Sequence, residues 1–256
     1  MCSSDLGGAF LCITIAKHDI MNLYGSRSAE RYEKRGKEED MQIKAILFDF
    51  DGTLANTVDL IIATFEHTCR TMLGTVPPRA AIVNTFGLPL GDAMLALSGR
   101  AELVEQMRDV YREYNNMHHD EMIKPIAGVQ EMLAALKRQD IKIAVVTSKK
   151  RPMVLRGIRC LQLEQYIDAV IALEDTQKSK PHADPMLAAC AKLGVTPQEC
   201  LCVGDSPFDL QSGRNAGART VAMRYTAFAW EKIMAEGRPD YVIAQPQELL
   251  ELVKGV

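Results

Sequence analysis

The sequence predicts an α/β protein built on a doubly wound parallel sheet, with an inserted domain made of helices. Short apolar segments alternate with helical patterns from Met41 onward, as in parallel sheets covered on both faces by crossover helices. One long stretch, residues 58–124, carries only helical periodicity. A chain of 256 residues with 47% hydrophobic content is large enough for a sizeable core of this kind.

Six apolar segments are the candidate strands of this sheet. They cover residues 43–48, 141–147, 168–172, 200–203, 219–223 and 241–243. Asp184 as N-cap predicts a helix over 185–193, which Gly194 ends. Thr196 and Glu199 then form the pattern of a capping box around a short turn.

The helical stretch is predicted to be a cap domain inserted into the core after the first strand. Its helices are expected over residues 59–73, 89–97 and 102–117. The core would comprise residues 41–57 and 125–256, and the cap residues 58–124. Such a cap lies over the crevice at the strand ends and can close on it to exclude water. The turn 86–91 either reaches that crevice or only connects two helices.

Two aspartates stand at the end of the first strand, within residues 49–54 (DFDGTL). Side chains alternate along a strand, so Asp49 and Asp51 are expected to project together into the crevice where open α/β sheets bind ligands. Two like charges there require a cation. Gly52 permits a sharp turn and a close approach of backbone amides to a ligand, and Thr53 adds a hydroxyl group. Carboxylates, a metal ion and converging amides together indicate bound phosphate.

The composition argues against several kinds of partner and location. The formal net charge is −3 and the 25% of charged residues form no basic stripe, so no nucleic-acid partner is expected. Seven cysteines show no metal-ligand spacing and several lie in apolar patterns, which predicts reduced thiols and a cytoplasmic location. Cys200 and Cys202 share one face of a predicted strand, and core packing explains them better than a redox pair.

Residues 1–40 do not share the α/β pattern and are predicted to be an N-terminal extension that need not be native. The apolar run 7–16 is too short to span a membrane and no basic residue precedes it, so neither export nor a membrane partner is expected. Residues 26–40 are dense in charge and predict a solvated helix that leads to the first strand.

Three further motifs follow the first in order. The segment 145–148 (VVTS) is an apolar strand end with two hydroxyls, 178–185 (KSKPHADP) carries lysines, and 201–209 (LCVGDSPFD) runs from a strand into an acidic loop. Together with residues 49–54, they resemble the four motifs of the haloacid dehalogenase-type phosphohydrolases. The resemblance covers about residues 41–256. It implies a Rossmann-like core, a helical cap, a Mg²⁺ cofactor, and a small phosphorylated metabolite or pyrophosphate as the partner.

Within this resemblance, each motif supplies one part of the chemistry. Asp49 is the expected nucleophile, which forms an aspartyl phosphate, and Asp51 acts first as the acid and then as the base. The Thr147 hydroxyl and the Ser148 amide are expected to bind a phosphoryl oxygen. Lys180 supplies the positive charge that balances nucleophile and phosphate. Lys178 is two residues away and is the alternative source of that charge.

The expected metal ligands follow from the preference of Mg²⁺ for oxygen. They are the carboxylates of Asp49 and Asp205 and the backbone carbonyl of Asp51. Asp209 is expected to complete the metal site by orienting metal-bound water; alternatively, it only interacts with the dipole of a helix N-terminus.

Two neighbouring histidines have no place in this chemistry. His118 and His119 stand near the end of a cap helix. That position favours the protein surface or a helix terminus over a role as ligands.

Within the family, the chain is similar to the branch of phosphoglycolate phosphatases and PpaX-type pyrophosphatases. Asn56-Thr57, the turn 87–90 and the Tyr-x3-Asn-x3-His-Asp run from Tyr111 favour the pyrophosphatase type. A monomer or a homodimer is expected.

Three other interpretations compete with this one. A phosphomutase like β-phosphoglucomutase would share every core residue and would require a sugar bisphosphate. A phosphoryl-receiver module also combines acidic residues, a hydroxyl and a lysine on a doubly wound sheet, but it needs no inserted domain. A non-catalytic scaffold is disfavoured because every expected catalytic position is filled.

Overall fold

The protein is described by a computed structural model that covers residues 42–254, so the expectations for residues 1–40 lie outside the described residues. Its strands are β1 Ala45–Phe48, β2 Ala55–Asn56, β3 Lys124–Pro125, β4 Lys142–Val146, β5 Ala169–Ile171, β6 Cys200–Gly204, β7 Arg219–Met223 and β8 Tyr241–Ile243. Six of them form a parallel sheet in the order β5-β4-β1-β6-β7-β8, and β2 pairs with β3 in antiparallel fashion. The predicted α/β class and doubly wound sheet are confirmed.

Ten helices accompany these strands in the described residues. They are α1 Val58–Leu73, α2 Arg79–Val83, α3 Leu90–Ser98, α4 Val104–Met122, α5 Val129–Arg138, α6 Arg151–Cys160, α7 Asp184–Leu193, α8 Pro207–Ala216, α9 Trp230–Lys232 and α10 Leu249–Lys254. Short 3-10 turns cover Ala101–Leu103, Glu164–Tyr166, Leu173–Asp175, Pro197–Glu199 and Pro246–Glu248, and a π turn covers Ile233–Gly237.

The central strand β1 is apolar on both faces because a layer of helices covers each face. Ile46 and Phe48 belong to the hydrophobic cluster that includes side chains of α5 and α6. Ala45 and Leu47 belong to the opposite cluster, which includes side chains of α7. Each fully buried large side chain contributes about 1.5–3 kcal/mol, so this double burial fixes β1 firmly at the middle of the sheet.

Helices α1 to α4 form an insertion between β2 and β3. The antiparallel pairing of these two short strands holds the entry and the exit of the insertion side by side. Phe65 of α1 and Met94 of α3 share one buried cluster with Leu210 of α8 and with Phe228. The insertion therefore packs against the layer of the molecule that contains α8.

Three local predictions differ from the structure. Ala183 is the N-cap of α7, and Asp184 lies in the first turn, where its carboxylate favours the helix dipole. Helix α4 continues beyond residue 117 to Met122 because its buried face extends to His119. Helix α2 was not predicted, since five residues are too few to show a period. The capping box of Thr196 and Glu199 is confirmed.

The cysteines of strand β6 are packing residues, as predicted. Cys200 and Cys202 are buried in the core, and the Sγ atom of Cys200 lies 3.7 Å from that of Cys190. Among residues 42–254, no helix is long and apolar enough to cross a membrane.

Candidate active site

The predicted site residues meet at the carboxyl ends of three adjacent strands. Strand β1 lies between β4 and β6, so the loops that follow these strands converge. They border a cavity of about 490 Å³. Its lining includes seven of the eight predicted residues: Asp49, Asp51, Gly52, Thr147, Ser148, Asp205 and Asp209. The eighth, Lys180, contacts Asp49 from beside the cavity.

Gly52 allows the first motif to approach the acidic loop after β6. Its φ angle is +80°, a conformation that favours glycine. A Cβ atom on residue 52 would lie 2.4 Å from Oδ2 of Asp205. The turn after β1 therefore depends on glycine for both its backbone angle and its packing.

Lys180 is a buried ammonium held between two carboxylates. Its Nζ donates to Oδ1 of Asp49 at 2.7 Å and to Oδ1 of Asp209 at 2.6 Å. Burial alone would lower the pKa of Lys180, but the charges of Asp209 and Asp49 raise it above its usual value. Lys178 is exposed, so the structure selects Lys180 from the two candidate lysines.

The carboxylates outnumber the cations at the strand ends. Burial, followed by the charge of Asp209, raises the pKa of Asp49 to about 7, although Lys180 opposes the shift. Burial and the same charge raise the pKa of Asp205 well above its usual value. Carboxylate oxygens of Asp49, Asp205 and Asp209 lie within 4.8 Å of one another. Three buried carboxylates with a single ammonium fit a divalent cation that prefers oxygen ligands.

Asp51 is turned toward a different pair of partners. Its Oδ1 accepts a hydrogen bond from the Thr57 hydroxyl at 2.6 Å and a second from the ammonium of Lys149. Sequence reasoning missed both partners. Lys149 directly follows the Thr147-Ser148 motif, so its position was the available signal, whereas nothing local marked Thr57.

Asp209 combines a structural contact with a contact in the site. It occupies the first turn of α8 and forms a capping box with Ser206, whose backbone N and Oγ donate to its Oδ2 at 3.1 Å and 2.6 Å. The other oxygen, Oδ1, accepts from Lys180. The position at a helix N-terminus is thus present, together with a contact to the buried lysine, while the orienting of metal-bound water by Asp209 stays a prediction.

The motif after β4 connects the core with the insertion. Thr147 Oγ1 accepts from the Lys149 backbone N at 3.1 Å, which leaves the hydroxyl hydrogen free to donate toward the cavity. Ser148 Oγ donates to the Gly87 carbonyl at 2.8 Å. The turn 86–91 lines the cavity, so the prediction that it reaches the crevice is confirmed.

A segment after β7 also supports the site and had no signal in the sequence. The Thr226 hydroxyl donates to the backbone carbonyl of Asp205 at 2.6 Å, and the Tyr225 hydroxyl donates to the Thr53 carbonyl at 3.2 Å. Thr53 Oγ1, expected as a donor in this loop, is buried without a hydrogen-bond partner.

The paired histidines have different environments. The His118 ring packs against Tyr114 with ring centroids 4.3 Å apart and a tilt of 43° between the ring planes. His119 is fully buried in the last turn of α4, so of the two expected positions the helix terminus is confirmed for it and the surface is wrong. Its Nδ1 lies 2.7 Å from Oδ1 of Asp120, which also accepts from Nε of Arg156 at 2.8 Å. This contact joins the end of α4 to α6.

Helix α4 provides one wall of the cavity. Its contribution comes from side chains three and four residues apart: Arg108, Tyr111, Arg112, Asn115 and Asn116. Neither arginine was predicted to belong to the site.

The doubly wound sheet, the helical insertion and the cluster of carboxylates with a buried lysine define an enzyme of the class that the motifs predict. The chain belongs to the haloacid dehalogenase-like hydrolase family, whose model matches residues 46–223. The predicted family and enzyme class are confirmed.

Similar proteins cover almost the same part of the chain. A Clostridium perfringens protein named "Putative pyrophosphatase PpaX" is 45% identical over 212 residues, which are 83% of this chain and 98% of that protein. "Pyrophosphatase PpaX" of Halalkalibacterium halodurans is 37% identical over 213 residues, again 83% and 98% of the two chains. A solved structure titled "putative phosphoglycolate phosphatase" from Lactobacillus plantarum has a TM-score of 0.71 and 26% identity, covering 83% of this chain and 100% of that one.

Replacing Gly52 by alanine is expected to displace Asp205 and weaken binding of a divalent cation by about tenfold or more, since a 1.4 kcal/mol loss already gives that factor. Calorimetric titration with Mn²⁺ measures the effect. Gly74→Ala is the matched control, because Gly74 has a similar φ of +71° but nothing within 4 Å of the added Cβ. Equal affinities in the two variants would refute the role assigned to Gly52.

Lys180→Gln is expected to lower the free energy of unfolding by about 3–5 kcal/mol, because it leaves Asp49 and Asp209 without their buried cation. Lys178→Gln, at an exposed position, is expected to change it by about 0.5 kcal/mol or less. Urea unfolding at neutral pH in EDTA gives both values. Similar values for the two variants would contradict the assigned ion pairs.

Proposed function

We propose that this protein is a Mg²⁺-dependent phosphohydrolase that cleaves a small phosphate monoester or pyrophosphate through an aspartyl-phosphate intermediate. One observation carries the proposal. Asp49, Thr147, Lys180 and Asp205 come from four separate motifs and converge at the ends of adjacent strands. Membership of the haloacid dehalogenase-like hydrolases and the names of the similar proteins support it.

The nucleophile is the carboxylate of Asp49. An anionic phosphate repels an attacking carboxylate, so the reaction needs fixed positive charge beside both groups. Lys180 already contacts Asp49 at 2.7 Å and supplies one such charge. The Thr147 hydroxyl, which has its hydrogen available, binds a phosphoryl oxygen together with the Ser148 amide and the loop at Gly52.

The residues that would hold Mg²⁺ are Asp49 and Asp205, together with the backbone carbonyl of Asp51. When bound, the ion offsets the negative charge of the carboxylates and of the transferring phosphoryl group. Asp209 is engaged by Lys180 and by the capping box, so it serves the site by orienting water and the ammonium. Thr226 holds the backbone of Asp205 in place from the opposite side.

Asp51 is the general acid and base. It protonates the leaving oxygen and then accepts a proton from the water that hydrolyses the aspartyl phosphate. Its hydrogen bonds from Thr57 and Lys149 fix the carboxylate near the point where the chain enters the insertion, close to where a leaving group would lie. These two residues position Asp51 and do not themselves react.

The insertion serves as the cap predicted from the sequence, covering residues 58–124 over a core of residues 41–57 and 125–256. Its turn 86–91 and helix α4 complete the cavity wall, so cap residues select among substrates. Pyrophosphate and phosphoglycolate are the preferred candidates because similar proteins carry those names. A cytoplasmic location and a monomeric or dimeric state remain predictions.

The test is phosphate release by the purified protein from pyrophosphate, 2-phosphoglycolate, sugar phosphates, nucleotides and p-nitrophenyl phosphate. Release is expected with Mg²⁺, to stop in EDTA, and to fall by about 10³-fold or more in Asp49→Asn and Asp51→Asn. A matched control is Asp59→Asn, which changes an exposed aspartate of α1 outside the cavity.

Three outcomes would count against the proposal. Release that persists in Asp49→Asn would exclude the aspartyl phosphate. Net conversion of a sugar bisphosphate with little free phosphate would indicate a phosphomutase. Stoichiometric phosphorylation without turnover would indicate a phosphoryl-receiver role.

A further inference from the structure

The cavity is lined by acidic residues at the strand ends and by basic residues of α4 and of the loop after β4. Its acidic residues, which include Asp49, Asp51 and Asp205, stand at the strand ends. The basic residues that line it belong to other elements: Arg108 and Arg112 on α4, and Lys149 and Lys150 after β4. The phosphoryl group undergoing attack lies beside Asp49. Arg108 and Arg112 belong to the insertion, so they line this cavity from a different element than the strand ends that carry Asp49.

The relevant face of α4 lies close to the catalytic loop. Arg108, Tyr111, Arg112 and Asn115 are spaced three or four residues apart and share one side of the helix. Burial, and then the negative charge of Asp51, raise the pKa of Tyr111 above its usual value. These side chains line the same cavity as Asp51, the residue proposed to protonate the leaving oxygen.

The two arginines have donors to spare. Nε of Arg108 is buried without a hydrogen-bond partner, while its Nη1 contacts Glu105 at 2.5 Å. Arg112 contacts Asp109 at 3.3 Å. Both acidic partners lie on the same helix and are about three-quarters exposed, 74% for Glu105 and 76% for Asp109. Such exposed ion pairs contribute little to stability, so an arginine can exchange its carboxylate partner for another anion at little cost.

Local geometry leaves room for the Arg108 guanidinium beside the cavity. Gly91, at the start of α3, also lines the cavity. A Cβ atom added to Gly91 would lie 4.0 Å from Nη1 of Arg108. The guanidinium is therefore near the turn 86–91, which Ser148 ties to the core.

We propose that Arg108 and Arg112 bind the leaving phosphate of pyrophosphate and so determine the preference of this site for substrates with a second anionic group. The inference rests on the proposed function. Guanidinium groups present paired N–H donors that match the oxygens of a phosphate, whereas a neutral leaving group offers them no charge.

The proposed reaction on pyrophosphate has two steps. A bond forms between an Asp49 oxygen and one phosphorus atom, while the bond from that phosphorus to the bridging oxygen breaks. The bridging oxygen keeps the electron pair and takes the proton of Asp51, leaving as inorganic phosphate between the arginines. Water then attacks the phosphorus of the aspartyl phosphate and Asp51 takes its proton. The bond from the Asp49 oxygen to phosphorus breaks, its electron pair returns to the Asp49 carboxylate, and a second phosphate is released.

The first experiment compares pyrophosphate with p-nitrophenyl phosphate in Arg108→Gln, Arg112→Gln and the wild type. Loss of a charged hydrogen bond to the leaving phosphate is expected to lower kcat/KM for pyrophosphate by about tenfold or more, mainly through KM. The loss for p-nitrophenyl phosphate is expected to be at least about tenfold smaller. Arg70→Gln, at an exposed position on α1 outside the cavity, is the matched control and should leave both rates unchanged.

A binding experiment separates this inference from the proposed function. Calorimetry in the Asp49→Asn background measures the affinity for pyrophosphate without turnover. Adding Arg108→Gln or Arg112→Gln is expected to raise Kd by about tenfold, and adding Arg70→Gln to leave it unchanged.

The outcomes are distinguishable. Equal losses on both substrates, or unchanged pyrophosphate affinity, would overturn the role of the arginines and leave the phosphohydrolase intact. No phosphate release from any compound by the wild type would defeat the proposed function, whereas weakened pyrophosphate binding in the arginine variants would still support the subsite.

Discussion

The rest of the site depends on one set of contacts, in which the ammonium of Lys180 is buried between the carboxylates of Asp49 and Asp209. Burying a carboxylate or an ammonium alone costs several kcal/mol, so each of these groups can stay buried only because the others are there. The contact also joins three parts of the chain, since Asp49 follows β1, Asp209 lies in the first turn of α8, and Lys180 lies in the loop before α7. The atoms that meet this structural requirement are also the ones to which the proposed mechanism assigns catalytic roles.

That arrangement still leaves the strand ends short of positive charge. Asp49, Asp205 and Asp209 share one ammonium, and the pKa values of Asp49 and Asp205 rise as a consequence of burial and mutual repulsion. Packing does not relieve this excess, because Gly52 brings the first loop directly against Asp205. The fold thus holds carboxylates in a state that a bound cation would stabilise.

The insertion contributes groups of opposite charge to the cavity that these carboxylates line. Helix α4 carries Arg108 and Arg112 over the cavity, while the Ser148 hydroxyl ties the turn at Gly87 to the core. The Asp120 contact with Arg156 connects the far end of α4 to α6. The insertion is consequently fixed to the core both at the turn around Gly87 and at the end of α4.

The sequence by itself determined the six strands of the parallel sheet, the helical insertion and the acidic residues of the strand ends, but not the short antiparallel pair β2 and β3. These features follow from periodicity and from motifs that span only a few residues. Such local patterns can be recognised in the amino-acid sequence alone. Only the tertiary structure decided that Lys180 and not Lys178 is buried, that Asp51 turns to Thr57 and Lys149, and that His119 is enclosed. It alone brought Thr226 to Asp205 and the arginines of α4 over the cavity. Each of these outcomes depends on the distance between side chains far apart in the chain, and that distance is set by packing, which no local pattern encodes.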